Sequence, residues 1–316
     1  MDIDISVVIP VYNCQDSIER CVNSLLAQTT KKIEVILVND GSTDNSKSVC
    51  ESICEKHQNV FLLNQDNQGA AKARDTGILF SHGKYIGFLD SDDWVHPSMY
   101  EKMLDIMSTQ NADIVQCGFI KTSQVDDTSI SINEDYSAHT VTGHHALNQL
   151  LRVVKEDNFN YLLWNKLFRK ELFSKFEMPI KKKANNDVPV IPRTFYYAER
   201  IAYTEQPFVY YYIHNDYEQK SMTDDLWKSK TNAIFSHLES FWNITCFFEK
   251  CNREFYLKSM RLSGAWLASA IRCKNASEQQ KEISREVLSK GKFVFNKYVP
   301  LKYKLFLLMC KILRKG

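Results

Sequence analysis

The chain has 316 residues, 44% hydrophobic and 25% charged, which suits one large domain with an appended lobe or two domains. Its net charge of only +2 gives no footing to a nucleic-acid partner. No apolar run approaches the roughly 20 residues that span a bilayer, and "MDIDISVVIP" lacks the positive, then long apolar, pattern of a signal peptide.

The first strand signal is "ISVVIP" at 5–10, short and β-branched. "QDSIERCVNSLLAQT" follows with Ile18, Cys21, Val22, Leu25 and Leu26 at helical spacing, and Asp16 with Glu19 placed as a capping box. "IEVILVND" (33–40) is a fully apolar strand, "STDNSKSVCESICEKH" a helix, and "NVFLLNQ" a third strand. "QGAAKARDTGILFSHG" reads as a helix closed by Gly83, and "KYIGFLD" as a fourth strand. Strands alternating with helices, each strand apolar throughout, imply a parallel sheet covered on both faces. In such sheets ligands sit outside the carboxyl ends of the strands. Tyr12-Asn13, Asn39-Asp40-Gly41, Gln65-Asp66-Asn67 and the Asp90–Asp93 run all fall at such ends.

Beyond a helix at about 97–110 and the strand "ADIVQCGFI", the pattern loosens. Residues 123–139 form a polar loop or hairpin, 160–173 ("NYLLWNKLFRKELF") look helical, and 200–214 hold one or two strands. From about 225 onward the period is helical, with a soft boundary near 220. The nine cysteines include no CxxC pair and read as reduced, mostly buried thiols of a cytoplasmic protein.

The run "GFLDSDDW" at 87–94 drives an apolar strand into three carboxylates, Asp90, Asp92 and Asp93. At 4–5 Å each like-charge pair costs about 1 kcal/mol even in water. Hard oxygen donors at a strand end suit Mg²⁺ or Mn²⁺ holding a diphosphate. The bland alternative is a solvated acidic turn before a helix.

Taken in order, "VVIPVYN", "VNDGSTDNS", "GAAKARDTGI" and "GKYIGFLDSDDWVHP" resemble the family 2 glycosyltransferases, inverting enzymes of the GT-A fold. The likeness is close over about 4–115 and resumes at "WNKLFRKELF" and around 186–223. It implies a Rossmann-like, nucleotide-diphospho-sugar transferase domain over 1–220, a mixed α/β sheet flanked by helices, with its nucleotide-binding half at about 1–115 and its acceptor half at about 116–220. A mostly helical extension then covers 221–316.

The resemblance further implies that Pro10, Val11, Tyr12 and Asp40 hold the base and ribose, that Arg74 lies near the nucleotide, and that Asp44 caps a helix. A guanidinium suits such a place through its fixed donors, though Arg74 also reads as a surface residue paired with an acid. Asp75 stands where relatives often have Asn. The family's DxD falls on Asp90, Ser91 and Asp92, with Asp90 near ribose or metal, Asp92 on the metal and Asp93 in the outer shell. On that reading a metal–diphosphate is what relieves the repulsion, and without it the turn is strained and mobile.

An inverting transfer needs a base to take the acceptor's proton. The family's Glu-Asp falls on Asn186-Asp187, eleven residues before Ala198, so Asp187 becomes the candidate base and Asn replaces Glu. The same "NND" before Pro189 also reads as a helix cap, and Pro192 is expected to distort that helix. Lys181 to Lys183 precede it, either as a solvated face or as attraction for an anionic acceptor. Trp164, Asn165 and Lys166 match the family's "WnK"; Trp164 and Lys166 are candidates for the acceptor side, with a core tryptophan as the alternative. His214 and Ser221 to Thr223 match a loop that closes on the donor phosphates, which makes His214 a candidate metal or phosphate contact.

Lys297 to Gly316 carries six Lys/Arg and no Asp/Glu, leaving the rest of the chain near −4. "VPLKYKLFLLMCKILRKG" is too short to span a membrane but suits an interfacial helix, or one packed on the protein's own surface. The expected partners are therefore a UDP-sugar, a glycan or lipid-linked acceptor and a membrane surface, with the protein on the cytoplasmic face building a surface polysaccharide. Two rivals remain. A nucleotidyltransferase needs a Gly-rich basic loop after the first strand, and "VYNCQDS" has neither Gly nor Lys. A non-catalytic nucleotide-sugar-binding or scaffold subunit is kept open by Asn186 and the two prolines.

Overall fold

A computed structural model describes residues 3–125, 127–133, 137–156, 158–179, 187–213, 230–293 and 296–313. Asn186, Lys181 to Lys183, His214 and Ser221 to Thr223 lie outside the described residues.

The first half alternates β1 (Ile5–Val11), α1 (Ile18–Leu26), β2 (Ile33–Asp40), α2 (Ser46–Lys56), β3 (Val60–Gln65), α3 (Ala70–Phe80) and β4 (Tyr85–Phe88). These four strands pair in parallel, Val7 opposite both Val35 and Gly87, and Leu37 opposite Leu62. There follow β5 (Trp94–Val95), α4 (Met99–Thr109), β6 (Ile114–Thr122), β7 (His139–Thr142) and α5 (Gly143–Leu150). Then come β8 (Lys166–Arg169), a 3₁₀-helix (Lys170–Lys175), α6 (Asp187–Tyr197) and β9 (Arg200–Tyr212). Four helices complete the chain: α7 (Lys230–Cys251), α8 (Arg253–Ile271), α9 (Glu278–Lys290) and α10 (Leu301–Leu313). One nine-stranded mixed sheet results, ordered β3-β2-β1-β4-β8-β6-β9-β5, with β7 on β9.

Side chains of period 2 split the core across the sheet. Val7, Ile9, Val35 and Leu37 face α1, α2 and α4 through Cys21, Leu25, Cys50 and Met103. Val8, Ile36, Val38 and Phe88 face the other way, toward Ala73, Leu147 and Phe195. That second cluster continues through Leu238 and Leu267 to Leu307, so the helices after residue 230 share its core. The described cysteines are all free thiols.

Two expectations change. Residues 160–173 are not a helix: Lys166–Arg169 fills the gap between β4 and β6, antiparallel to both, with Phe168 opposite Ile86 and Ile114. Leu167 and Phe168 thereby enter opposite cores, and this tertiary demand overrides the helical spacing. No capping box forms at Asp16 and Glu19; Ser17 is the N-cap and makes no side-chain cap bond. The chain entering α1 is fixed instead from the next loop, where Ser46 Oγ accepts from Cys14 N at 2.8 Å and Asp44 Oδ2 from Gln15 N at 3.3 Å. Asp44 Oδ1 also accepts from Ser46 N at 2.9 Å, which ties down the start of α2. Helix α6 continues through Pro192.

Helix α3 lies unusually close to β1. A Cβ on Gly77 would fall 2.3 Å from Val8 Cγ1, so only glycine permits this approach. Gly77→Ala should lower stability by about 1–3 kcal/mol, and Val8→Ala in the same chain should recover part of that loss. Thermal unfolding of the two single variants and the double variant checks it; an unshifted Gly77→Ala would show that α3 sits elsewhere.

Candidate active site

Strands β1, β2 and β4 end together, and their carboxyl ends build one rim. At β1, Val11 is fully buried, Pro10 is half-buried and Tyr12 is exposed at the edge. Asn13 turns into the left-handed region at φ 49° and accepts from Thr43 N at 2.8 Å, pinning this end to the loop after β2. Gly41 at φ 69° needs glycine, since an added Cβ would lie 2.8 Å from Asn67 N.

Asp40 is buried and heavily engaged. Its Oδ1 accepts from Gln65 Nε2 at 2.7 Å and Gln68 N at 2.9 Å, and its Oδ2 from Gly69 N at 2.7 Å. It therefore shapes the turn into α3, one turn before Arg74. Asp40 lines the rim chiefly as the organiser of that turn.

Arg74 is the centre of the site. Its side chain is only 6% exposed. Nη2 donates to Asp90 Oδ1 at 2.7 Å and Nη1 to Asp187 Oδ1 at 2.9 Å, a contact between residues 113 apart in sequence. Burial opposes its charge, and Asp187 and Asp90 more than offset that, holding its pKa above the usual value. The Nε–H has no acceptor among the described residues.

The three carboxylates of the acidic turn have three different surroundings. Burial raises the Asp90 carboxyl, with Arg74 pulling it down and Asp187 and Asp92 pushing it up. Asp93 is fully buried; burial, with Asp92 and Asp90 adding to it, pushes its pKa well above the carboxylate range and favours the neutral acid. Asp93 Oδ1 accepts from Tyr212 N at 2.9 Å, while Oδ2 has no partner among the described residues. Asp92 and Ser91 remain half-buried on the outside of the turn. Arg74 thus answers part of the repulsion at Asp90, and no residue from 90 to 93 adopts a positive φ.

Arg20 on α1 supports that turn from behind. It donates to the Asp92 carbonyl at 2.8 Å and lies over the rings of Trp94 at 4.5 Å and Tyr212 at 5.1 Å. Nothing in its sequence neighbourhood marks this role, because the partners are a carbonyl and two rings brought in by folding.

Asp187 opens α6 with its side chain 20% exposed, and its Oδ2 accepts from Leu163 N at 3.2 Å. Behind Leu163, Lys166 is completely buried, and its ammonium donates to Asn160 Oδ1 at 2.7 Å, Leu162 O at 2.7 Å and Asn165 Oδ1 at 3.0 Å. Burial pushes that ammonium well below the usual lysine range. Trp164, 4% exposed, stacks on Tyr211 at 5.4 Å and meets Phe119 edge-on at 4.9 Å. Trp164 and Lys166 therefore sit inside the protein, beneath the rim rather than on it.

The rim brings Asp90 and Asp187 together through Arg74, with Asp92 two residues along the same turn as Asp90. Among the described residues, no three of His, Cys, Asp or Glu converge as a metal cage. One or two carboxylates that leave other positions to phosphate oxygens and water are nonetheless a usual way to hold Mg²⁺, and Asp92 and Asp90 fit that donor set. A cavity of about 980 Å³ between α3 and the 3₁₀-helix lies at the opposite end of the strands, lined by Leu79, Lys84 and Phe176, and takes no part in this site.

Residues 6–176 match the family model described as glycosyl transferase family 2. The uncharacterized glycosyltransferase EpsJ of Bacillus subtilis is 30% identical over 296 residues, covering 90% of this chain and 83% of that protein. The uncharacterized glycosyltransferase YibD of Escherichia coli is 31% identical over 261 residues, covering 81% and 73%. Among solved structures, S. aureus TarS 1–349 in complex with UDP superposes with a TM-score of 0.67 over 98% of this chain and 87% of its own, at 16% identity. Its complex with UDP-GlcNAc gives 0.60 over 99% and 92%, at 17% identity. At such identities the likeness concerns the fold, which is GT-A-like with a helical region at its end. With more than half its length matched by the family model and a 30% identical relative spanned almost end to end, the chain belongs to glycosyltransferase family 2.

Proposed function

We propose that this glycosyltransferase moves a sugar from a UDP-sugar to a hydroxyl of a glycan or lipid-linked acceptor, with inversion and with Mn²⁺ or Mg²⁺, in the synthesis of a surface polysaccharide on the cytoplasmic side. One observation carries the reading: a single buried guanidinium, Arg74, spans from Asp90 of the DxD turn to Asp187 at the head of α6. A direct displacement needs the base and the departing diphosphate on either side of one carbon, so both sets of groups must meet at one rim. The complexes of TarS with UDP and UDP-GlcNAc support the uridine assignment through the shared fold.

In this reading Pro10, Val11, Tyr12 and Asp40 border the base and ribose. Asp92, with Asp90 and Ser91 beside it, would hold the divalent ion, whose contribution is to neutralise charge on the departing diphosphate. Arg74, beside them, would hold Asp90 and Asp187 in place for the ligand. The acceptor oxygen forms a bond to the anomeric carbon while its proton passes to Asp187, and the bond from that carbon to the diphosphate oxygen breaks with its electron pair leaving on the nucleotide. Arg74 and Leu163 N–H fix the Asp187 carboxylate, each oxygen keeping a lone pair for the incoming proton. Lys166 acts at one remove, by holding the 160–165 loop that supplies Leu163 N–H.

Titration calorimetry with UDP should show binding in Mn²⁺ that weakens at least about tenfold in EDTA or in Asp92→Ala, a change of roughly 1.4 kcal/mol. A folded protein that ignores uridine ligands would overturn the donor assignment. Asp187→Asn should lower kcat by a factor of about 10²–10⁴ with donor affinity kept; binding without any turnover in the wild type would instead favour a non-catalytic nucleotide-sugar-binding subunit. Lys166→Met removes the donor to Leu162 O and Asn165 Oδ1, while Asn160 Oδ1 keeps Leu162 N–H, and should destabilise by about 1–3 kcal/mol. It should also reduce kcat more than it changes UDP affinity, whereas an equal loss of both would return Lys166 to the ligand itself.

A further inference from the structure

Nine large hydrophobic side chains are exposed among the described residues, and five of them, Leu301, Leu305, Leu308, Met309 and Ile312, lie on α10. Scattered single cases need no explanation, but a cluster does. At about 100° per residue these five fall within an arc of about 100° on one side of the helix. The opposite side is the packed one: Leu307 is fully buried, and Tyr303, Phe306 and Cys310 pack against the core shared with Phe195 and Leu267. Arg272, just past the end of α8, adds a guanidinium over the Phe306 ring at 4.4 Å. The helix is thus seated on the protein and presents a second, unpartnered apolar stripe outward.

The same wheel places Lys302 along one edge of that stripe and Lys304 with Lys311 along the other. From Val287 to Gly316 the sequence contains no Asp or Glu at all. A second copy seated on this stripe by a two-fold axis would bring lysine rows to face lysine rows with no acid on α10 itself to answer them, which disfavours self-association through this helix. An anionic lipid surface answers both features: acyl chains accept the apolar stripe, and lipid phosphates accept the flanking ammonium groups, whose methylene stems extend along the stripe.

We propose that α10 is an in-plane docking helix, by which the protein lies on an anionic bilayer with Leu301, Leu305, Leu308, Met309 and Ile312 inserted at the headgroup boundary. The helix is about 20 Å long, and no described helix is long and apolar enough to cross a membrane, so it lies on the surface rather than spanning it. The rigid core beneath it includes Val190 and Ile191 of α6, so docking fixes the distance between the bilayer and Asp187. This goes beyond the sugar-transfer reading and does not depend on it.

The test is vesicle flotation of the full chain with neutral phosphatidylcholine and with phosphatidylcholine containing 30% phosphatidylglycerol, at about 0.1 M and 0.5 M NaCl, where screening differs strongly. The expected result is flotation with anionic vesicles at low salt, reduced at least about tenfold by high salt, by neutral lipid, by Leu305→Glu/Ile312→Glu and by Lys302→Gln/Lys304→Gln. Circular dichroism, melting temperature and UDP titration are read on the same samples, so that loss of fold or of the donor site is seen separately. The proposal is overturned if wild type ignores both vesicles, or if the Leu305→Glu/Ile312→Glu protein floats as well as wild type. It is also overturned if sedimentation shows a dimer that this pair of substitutions dissolves while vesicles bind neither protein.

Discussion

A buried guanidinium between two carboxylates is the interaction on which the rest of the site depends. Arg74 has almost no exposure, and it lies there because Gly77, one turn further along α3, lets the helix settle against Val8 of β1. A buried charge without a partner costs several kcal/mol, and removing one member of a buried pair commonly costs ~3–5 kcal/mol. Asp90 and Asp187 answer Arg74, and Arg74 answers them. Each carboxylate is thereby fixed by the same plane of donors, which sets the spacing between the DxD turn and the head of α6 before any ligand arrives.

The acidic turn shows how a fold carries three acids in four residues without leaving them to repel. Asp90 is paired, Asp93 is driven toward its neutral form by complete burial, and Asp92 stays at the surface. Asp92 is half-buried on the outer side of the turn, and Asp90 keeps 33% of its side chain exposed beside Arg74. Burying Asp93 costs desolvation, and the structure recovers part of it by anchoring Tyr212, the last residue of β9, through its N–H. Arg20 stacks against Trp94 and Tyr212 and holds the Asp92 carbonyl, so the turn and the end of β9 form one unit.

Much of this was legible in the sequence for a simple reason: strands buried on both faces read as near-continuous apolar runs, and β1, β2 and β4 do so apart from Ser6 and Glu34, which bond to each other, and the polar end of β2. Their ends, at Tyr12, Asp40 and Asp90, were therefore visible as a rim. The region 160–173 was not, because Leu162, Leu163, Leu167 and Phe168 mimic helical spacing while β8 is recruited by strands far away in sequence. For Trp164 the core alternative is the one the packing matches, and for Lys166 only the fold reveals three acceptors enclosing its ammonium. Leu163 N–H and Tyr212 N–H carry no signal at all, being backbone groups whose partners are chosen by tertiary structure.

The base candidate belongs to the half of the chain where the sequence pattern is weakest, and the physics explains why that is tolerable. Asp187 needs only two outside groups, one guanidinium and one backbone N–H, to define its position. Arg74 comes from the regular parallel half, 113 residues away, so the irregular half inherits its register from the regular one. The loop at 160–165 contributes the second group and is itself stiffened by Lys166, a charge satisfied wholly by protein acceptors rather than by solvent. The parallel half and the later half thus meet at one guanidinium, and Arg74 holds Asp90 and Asp187 in a fixed mutual geometry while the apolar core on that face of the sheet packs both halves together.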